Sequence, residues 1–98
     1  MRVLEHRVDP TDWLAHCTDL AAAGATMLDM LTAVDDPGSG RIEVVAHLVD
    51  VVARERHLVW TVVDRGEPVL ASLVALYPGA AWHEREVHEM FGVTFAGN

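Results

Sequence analysis

Cysteine is nearly absent: Cys17 is the only one in 98 residues. That excludes an intramolecular disulfide, and one thiolate cannot hold an iron–sulfur cluster within a single chain. Basic residues are also scarce, with seven Lys and Arg against fifteen acids and a formal charge of -8. Nucleic acid and anionic membrane surfaces are poor partners for such a chain, because binding phosphate takes a basic footprint. A basic protein surface suits it better. Long apolar runs are missing too. The longest stretch free of charged residues, Pro68 to His83, is broken by Pro78 and Gly79, and it falls short of the ~20 apolar residues of a spanning helix. Met1 to His6 holds no apolar signal-peptide core. A reducing cytoplasm is the expected compartment, and any work at a membrane would be done by docking on something embedded there. No internal repeat, low-complexity tract or domain linker occurs.

What is present is apolar enough to fold, at 51% of residues, so residues 1–98 are expected to make one domain with a modest core. Asp9-Pro10-Thr11-Asp12 opens a helix, with Asp9 as cap and Pro10 in the first turn. Trp13, Leu14, Cys17, Leu20 and Ala21 follow at helical spacing, and Gly24 stops it. Thr26 to Val34 has apolar residues that would suit a helix, but its shortness and the following turn favour a strand or a strand entry, and Asp35 to Gly40 reads as a turn. Ile42, Val44, Ala46 and Leu48 then alternate with Glu43, Val45, His47 and Val49 at strand period. The same period returns in His57 to Val63, which places Leu58, Trp60 and Val62 on one face and Val59, Thr61 and Val63 on the other. Arg54, Glu55 and Arg56 in the link are expected in water, and Val69 to Leu76 as a short helix or connector. Trp13, Trp60 and Trp82 are expected to build the core, and an exposed one would mark an interface. The pattern predicts an α+β fold of two layers, a small mostly antiparallel, at most mixed, sheet with helices packed on one face.

The richest chemistry lies at the end. After Pro78-Gly79 a helix is expected over about Ala81 to Phe91, closed by Gly92 as C-cap. Trp82, Arg85, Glu86, Glu89 and Met90 fall on one side of it, and Glu84, Val87 and Phe91 toward the other. His83-Glu84-Arg85-Glu86-Val87-His88 resembles a zinc-peptidase His-Glu-x-x-His, but its second histidine comes one residue late. The two rings stand about 140° apart around the axis and cannot share a metal ion. Glu84 and His88 read as a surface pair, and Arg85, Glu86 and Glu89 as an ion-pair network fixing the helix against the sheet or a partner. Cys17 faces the apolar side of its helix, where burial raises a thiol's pKa and leaves it inert. Ser39 and Ser72 sit in no nucleophile elbow. Gly38-Ser39-Gly40 reads as a hairpin turn, and His6, His16, His47 and His57 as scattered surface residues.

The string Trp82-x-Glu84-Arg85-Glu86-x-x-Glu89-Met90-Phe91-Gly92 resembles the signature of the 30-kDa subunit of respiratory complex I (NADH:quinone oxidoreductase). Related modules occur in membrane-bound nickel–iron hydrogenase and formate hydrogenlyase complexes. Met27 to Asp35 and Arg41 to Leu48 are similar to the family's core in order and spacing, so the resemblance covers roughly residues 27–98. Members commonly carry aromatic residues in place of His83 and His88, and often Asp in place of Glu89. Their signature runs on with a His or Lys and then an Arg; this chain offers Asn98, so the tail that follows a neighbouring subunit is expected to be absent.

The resemblance implies a non-catalytic structural and assembly subunit of an oxidoreductase complex. It would dock on the hydrogenase-like large subunit, beside iron–sulfur subunits of a membrane-associated assembly on the cytoplasmic face. It implies no cofactor on this chain; iron–sulfur clusters, quinone or a nickel–iron centre belong to the partners. Trp82, Glu84, Arg85, Glu86, Glu89, Phe91 and Gly92 match the motif and are the candidate interface residues. Two rival readings are a stand-alone adaptor pairing with its own copy through the Trp82 side, and a small enzyme using Glu86 and Glu89.

Overall fold

The computed structural model describes residues 1–98. Six strands and two helices follow in the order β1 (Arg2–Arg7), α1 (Trp13–Ala22), β2 (Met27–Asp36), β3 (Arg41–Asp50), β4 (Glu55–Asp64), β5 (Val69–Ala71), α2 (Ala80–Phe91) and β6 (Thr94–Ala96). The main sheet has the order β1-β4-β3-β2. β2–β3 and β3–β4 pair antiparallel, while β1 joins parallel to β4. The α+β fold with a mostly antiparallel mixed sheet is therefore as expected.

The alternation in β3 and β4 becomes one layer because residues directly opposite in an antiparallel pair share a face. Ile42 faces Val63, Val44 faces Thr61, Ala46 faces Val59 and Leu48 faces His57. Trp13 and Cys17 of α1 and Val87 of α2 join the apolar residues among these in a single core of 18 buried residues, so both helices lie on this side. A short 3-10 turn, Pro10–Asp12, leads into α1, and Asp9 Oδ1 accepts from the Thr11 N–H at 3.0 Å and from its hydroxyl at 2.8 Å. Burial pushes the Cys17 thiol up to about 12, in keeping with an inert core sulfur.

Gly24 ends the helical stretch for a steric reason. Its φ is +126°, and a Cβ there would lie 2.5 Å from Asp50 Oδ2. The same Asp50 turns β3 into β4 by accepting the Ala53 N–H at 2.9 Å. Arg54 is exposed in that turn with φ +58°. Glu55 and Arg56, expected in water, instead start β4 and are half-buried. Arg56 reaches Asp29 Oδ2 at 2.7 Å and holds that carboxyl below its ordinary value.

Two further expectations need correction, and one strand had no signal read for it. Val69 to Leu76 contains no helix: Val69–Ala71 is a strand that pairs parallel with β6 in a second, two-stranded sheet. Three residues are too few to show a period. β1 was not anticipated, although Leu4 and His6 are half-buried between exposed Val3, Glu5 and Arg7. Nor do the tryptophans form one core. Trp13 is fully buried, Trp60 is half-buried on the helix-free face, and Trp82 is 63% exposed. On that helix-free face Trp60 donates its indole N–H to Glu5 Oε1 at 3.1 Å and lies 5.3 Å beneath the Arg7 guanidinium. Arg7 in turn reaches Glu43 at 3.3 Å.

Two buried polar atoms, Trp13 Nε1 and Thr61 Oγ1, have no hydrogen-bond partner. A buried hydroxyl without one costs about 1–3 kcal/mol. Thr61→Val keeps the shape and removes the hydroxyl, so its thermal melt is expected at or above the native temperature. A fall of several degrees would show that Thr61 has a partner in solution.

Candidate functional site

α2 is made to present one face and bury the other. Pro78-Gly79 breaks the preceding chain, and Gly92 closes the helix in the left-handed conformation at φ +77°, donating its N–H to His88 O at 2.9 Å. This is the expected C-cap. Ala80, Glu84 and Val87 are buried, with Phe91 half-buried behind them. Trp82, Arg85, Glu86, Glu89 and Met90 are all exposed, Met90 at 76%. Helical spacing alone divides the residues this way. His88 Nδ1 lies 2.9 Å from Val93 O. Because a carbonyl can only accept, that nitrogen carries the proton.

Glu84 is not half of a surface pair with His88. Its carboxylate is fully buried and tied to three groups: Oε1 accepts from Ser72 Oγ at 2.6 Å and Asn98 Nδ2 at 3.0 Å, and Oε2 accepts the Leu73 N–H at 2.7 Å. Ser72 Oγ also accepts the Val74 N–H at 3.1 Å. One side chain thus fastens α2 to the turn after β5 and to the end of the chain. Burying a carboxylate is costly unless its lone pairs are used, and here they are. Tyr77, just before α2, anchors the other end by donating its hydroxyl to Ala25 O at 2.6 Å. Burial, reinforced by Cys17, pushes the Tyr77 hydroxyl up to about 12.

The expected three-residue ion network is reduced to one exposed pair. Arg85 Nε reaches Glu89 Oε1 at 3.2 Å one helical turn on, with both side chains more than 60% exposed. Arg85 also stands 6.0 Å from the Trp82 ring. Glu86 bonds to nothing in the chain. Long exposed pairs of this spacing are worth only about 0.3–0.5 kcal/mol. Arg85→Ala is therefore expected to leave the thermal melt of the isolated domain within about 0.5 kcal/mol of native. A loss several times larger would restore an internal role for Arg85.

Beside this face runs an open groove of about 680 Å³ between α2 and the end of the chain, lined among others by Trp82, Arg85, His88, Phe95 and Asn98. Glu86 and Glu89 point into solvent rather than into a closed cleft. Acid–base catalysis by paired carboxylates needs them held apart and tuned differently by their surroundings. Exposed on one helix face, Glu86 and Glu89 have no enclosing cleft to hold them so. No three His, Cys, Asp or Glu side chains converge as metal ligands. What the arrangement offers is a rigid helix with an uncovered aromatic, a thioether and both signs of charge. Sequence reasoning placed the two faces of α2 correctly but missed Ser72, Leu73 and Asn98 as partners of Glu84. The available signal was Glu84 falling in helical register with Ala80 and Val87.

Residues 6–98 match the family described as the respiratory-chain NADH dehydrogenase 30 Kd subunit. The mitochondrial NADH-ubiquinone oxidoreductase 30.4 kDa subunit of Neurospora crassa is 45% identical over 78 residues, covering 79% of this chain and 27% of that protein. An NADH-quinone oxidoreductase subunit of Jannaschia sp. is 38% identical over 82 residues, covering 83% of this chain and 39% of its own length. The chain thus spans well under half the length of these relatives. Among solved structures, a chain of the membrane-bound sulfane sulfur reductase, an archaeal respiratory membrane complex, is similar over 100% of this chain and 59% of its own length, at 33% identity and a TM-score of 0.93. The trypsin-resistant fragment of Nqo5 is similar at 26% identity and a TM-score of 0.89, covering 97% of this chain and 80% of the fragment.

Proposed function

Since the chain belongs to the family of respiratory-chain NADH dehydrogenase 30 Kd subunits, we propose that it serves as a non-catalytic structural and assembly subunit. Its host is the peripheral arm of a complex I-like NADH:quinone oxidoreductase or a related energy-converting hydrogenase. The partner is the hydrogenase-like large subunit, with iron–sulfur subunits alongside. The observation that carries this reading is the outward face of α2, where Trp82 and Met90 stand 63% and 76% exposed beside Arg85, Glu86 and Glu89. Large apolar side chains left uncovered amid charges mark a protein interface.

A rigid support under that face suits docking: Glu84, Tyr77 and Gly92 fix the helix before any partner arrives, which lowers the entropy lost on binding. Arg with carboxylates adds directional bonding that sets register more than affinity. On this reading the chain carries no cofactor of its own; clusters, quinone or nickel–iron chemistry belong to its partners. No helix of the structure is long and apolar enough to cross a membrane. Attachment to the cytoplasmic face would come through the partner subunits.

The test is capture of the tagged chain from detergent-solubilised membranes of its host, read by mass spectrometry. Recovery of a hydrogenase-like large subunit with iron–sulfur partners is the expected result, and the accompanying NADH-oxidising or hydrogenase subunits would name the complex. Recovery of the bait alone, with a concentration-dependent dimer in solution, would overturn it in favour of a self-pairing adaptor.

A further inference from the structure

Three imidazoles from three elements stand in a row next to the β1 edge. His6 of β1 occupies the middle: its Nδ1 lies 3.0 Å from His16 Nε2 on α1, and its Nε2 lies 2.9 Å from His57 Nδ1 on β4. The ring centroids are 4.9 and 5.1 Å apart. The row ends on a carboxylate, with His57 Nε2 3.5 Å from Glu55 Oε1, while Arg2 lies 3.5 Å from the other oxygen of Glu55. His57 is 8% exposed, and the other two histidines are half-buried. The nitrogens face one another in pairs and do not converge on a point, so the row holds protons rather than a metal ion.

Each nitrogen–nitrogen contact accommodates one proton, which fixes what the row can carry. With all three rings neutral, the Glu55 carboxylate 3.5 Å away favours the His57 proton on Nε2, which leaves His57 Nδ1 bare. His6 must then donate from Nε2 and accept at Nδ1, and His16 must donate from Nε2. One added proton fits on any ring: His16 can take it at its free Nδ1, or the donors can reverse along the row. A second proton does not fit. Two imidazolium rings among three force one contact into N–H facing N–H.

We propose that this row is an acid-operated clasp, which fastens β1 and α1 to β4 with up to one added proton and opens when a second arrives. β1 is an edge strand paired only with β4, so with the clasp open that one ladder is what holds it to the sheet. The surroundings bring no cation against the rings to pre-empt this. On β1, Glu5 and Arg7 are engaged with Trp60 and Glu43 on the opposite face. On β4, Arg56 pairs with Asp29 on that face; on α1, Asp12 and Asp19 lie one turn to either side of His16 in sequence. Asp50 of β3 lies opposite Glu55, with its own oxygen on the Ala53 N–H. Arg2 is held by Glu55 at the end of the row.

Burial, with His16 and His57 adding to it, holds His6 below its ordinary value. A depressed histidine contributes its stability fully above its unfolded value near 6.5 and loses it as pH falls through the folded value. Acid therefore works against the clasp.

The experiment is nitrogen NMR of the full chain labelled at histidine, with amide hydrogen exchange followed from pH 7.5 to pH 5. Through-hydrogen-bond nitrogen–nitrogen couplings are expected for His6–His57 and His6–His16 at pH 7.5. The first proton should appear as partial shifts on all three rings with β1 still protected. The second should abolish a coupling and lower β1 protection relative to β3 by roughly tenfold, the equivalent of one hydrogen bond lost. His6→Gln should remove the pH step in β1 while β3 stays protected. His16→Gln should keep the His6–His57 coupling and the step in β1, but free α1 from it. Three independent one-proton titrations without couplings would overturn the proposal, as would β1 protection that tracks β3 at every pH.

Discussion

Glu84→Ala is expected to lower the melting temperature of the isolated domain by roughly 12–24 °C. The substitution removes acceptors at once from Asn98 Nδ2 and from two buried groups, Ser72 Oγ and the Leu73 N–H. Stranding a buried backbone donor costs about 1–3 kcal/mol, and bonds to a charged acceptor are worth about 1.5–3 kcal/mol each. A combined loss of about 3 kcal/mol is a conservative sum, and in a domain of this size each kcal/mol moves the melt by about 4–8 °C. Glu84→Gln should do much less harm. Its amide oxygen can keep the Leu73 N–H while its amino group donates to Ser72 Oγ, provided the Asn98 amide turns over. A thermal melt of the three proteins decides the matter: native, Gln and Ala in descending order supports the clamp. Equal melts for native and Ala would mean that Glu84 does not hold α2.

The second large effect concerns binding alone. Trp82→Ala should leave the melt of the isolated domain within about 0.5 kcal/mol, because the side chain is 63% exposed. Affinity for the proposed partner, the hydrogenase-like large subunit, should fall by about 2–4 kcal/mol, the range of an aromatic hot spot. That is roughly a 30- to 1,000-fold weaker complex. Titration of purified large subunit against native and variant chains measures it, with the melt of each as control. A normal melt and undiminished affinity would remove Trp82, and with it the outward face of α2, from the interface. The pairing of this variant with Glu84→Ala is informative because the two residues are two apart on one helix. One should move stability and the other only assembly.

That separation bears on how the four motif charges behave. Glu84, Arg85, Glu86 and Glu89 are one cluster in the chain, which spacing reads as a network of the last three with Glu84 paired to His88. On the folded helix they part. Glu84 enters the core; Arg85 and Glu89 pair in water at 3.2 Å; Glu86 stands by itself. The face assignment followed from spacing, but the partners did not. Ser72 is 12 residues from Glu84 and Asn98 is 14, and nothing in a local pattern indicates which distant groups an inward carboxylate will meet.

By itself the sequence determined the elements that repeat locally. The helix opening at Asp9 and stopping near Gly24, the strands β3 and β4 with their alternating faces, the inward and outward sides of α2 and its Gly92 cap all follow from periods of about 3.6 and 2 and from the backbone needs of Pro and Gly. The motif in α2 also carried the family. Tertiary structure alone decided the strand order β1-β4-β3-β2, the three-residue strands β5 and β6, the exposure of Trp82 and the half-burial of Trp60. It also brought His6, His16 and His57 together from positions 10 and 51 residues apart. The reason is the same in each case. Periodicity reports how a segment is half-buried, whereas pairing, exposure of one particular aromatic and meetings of remote polar groups depend on which segments become neighbours.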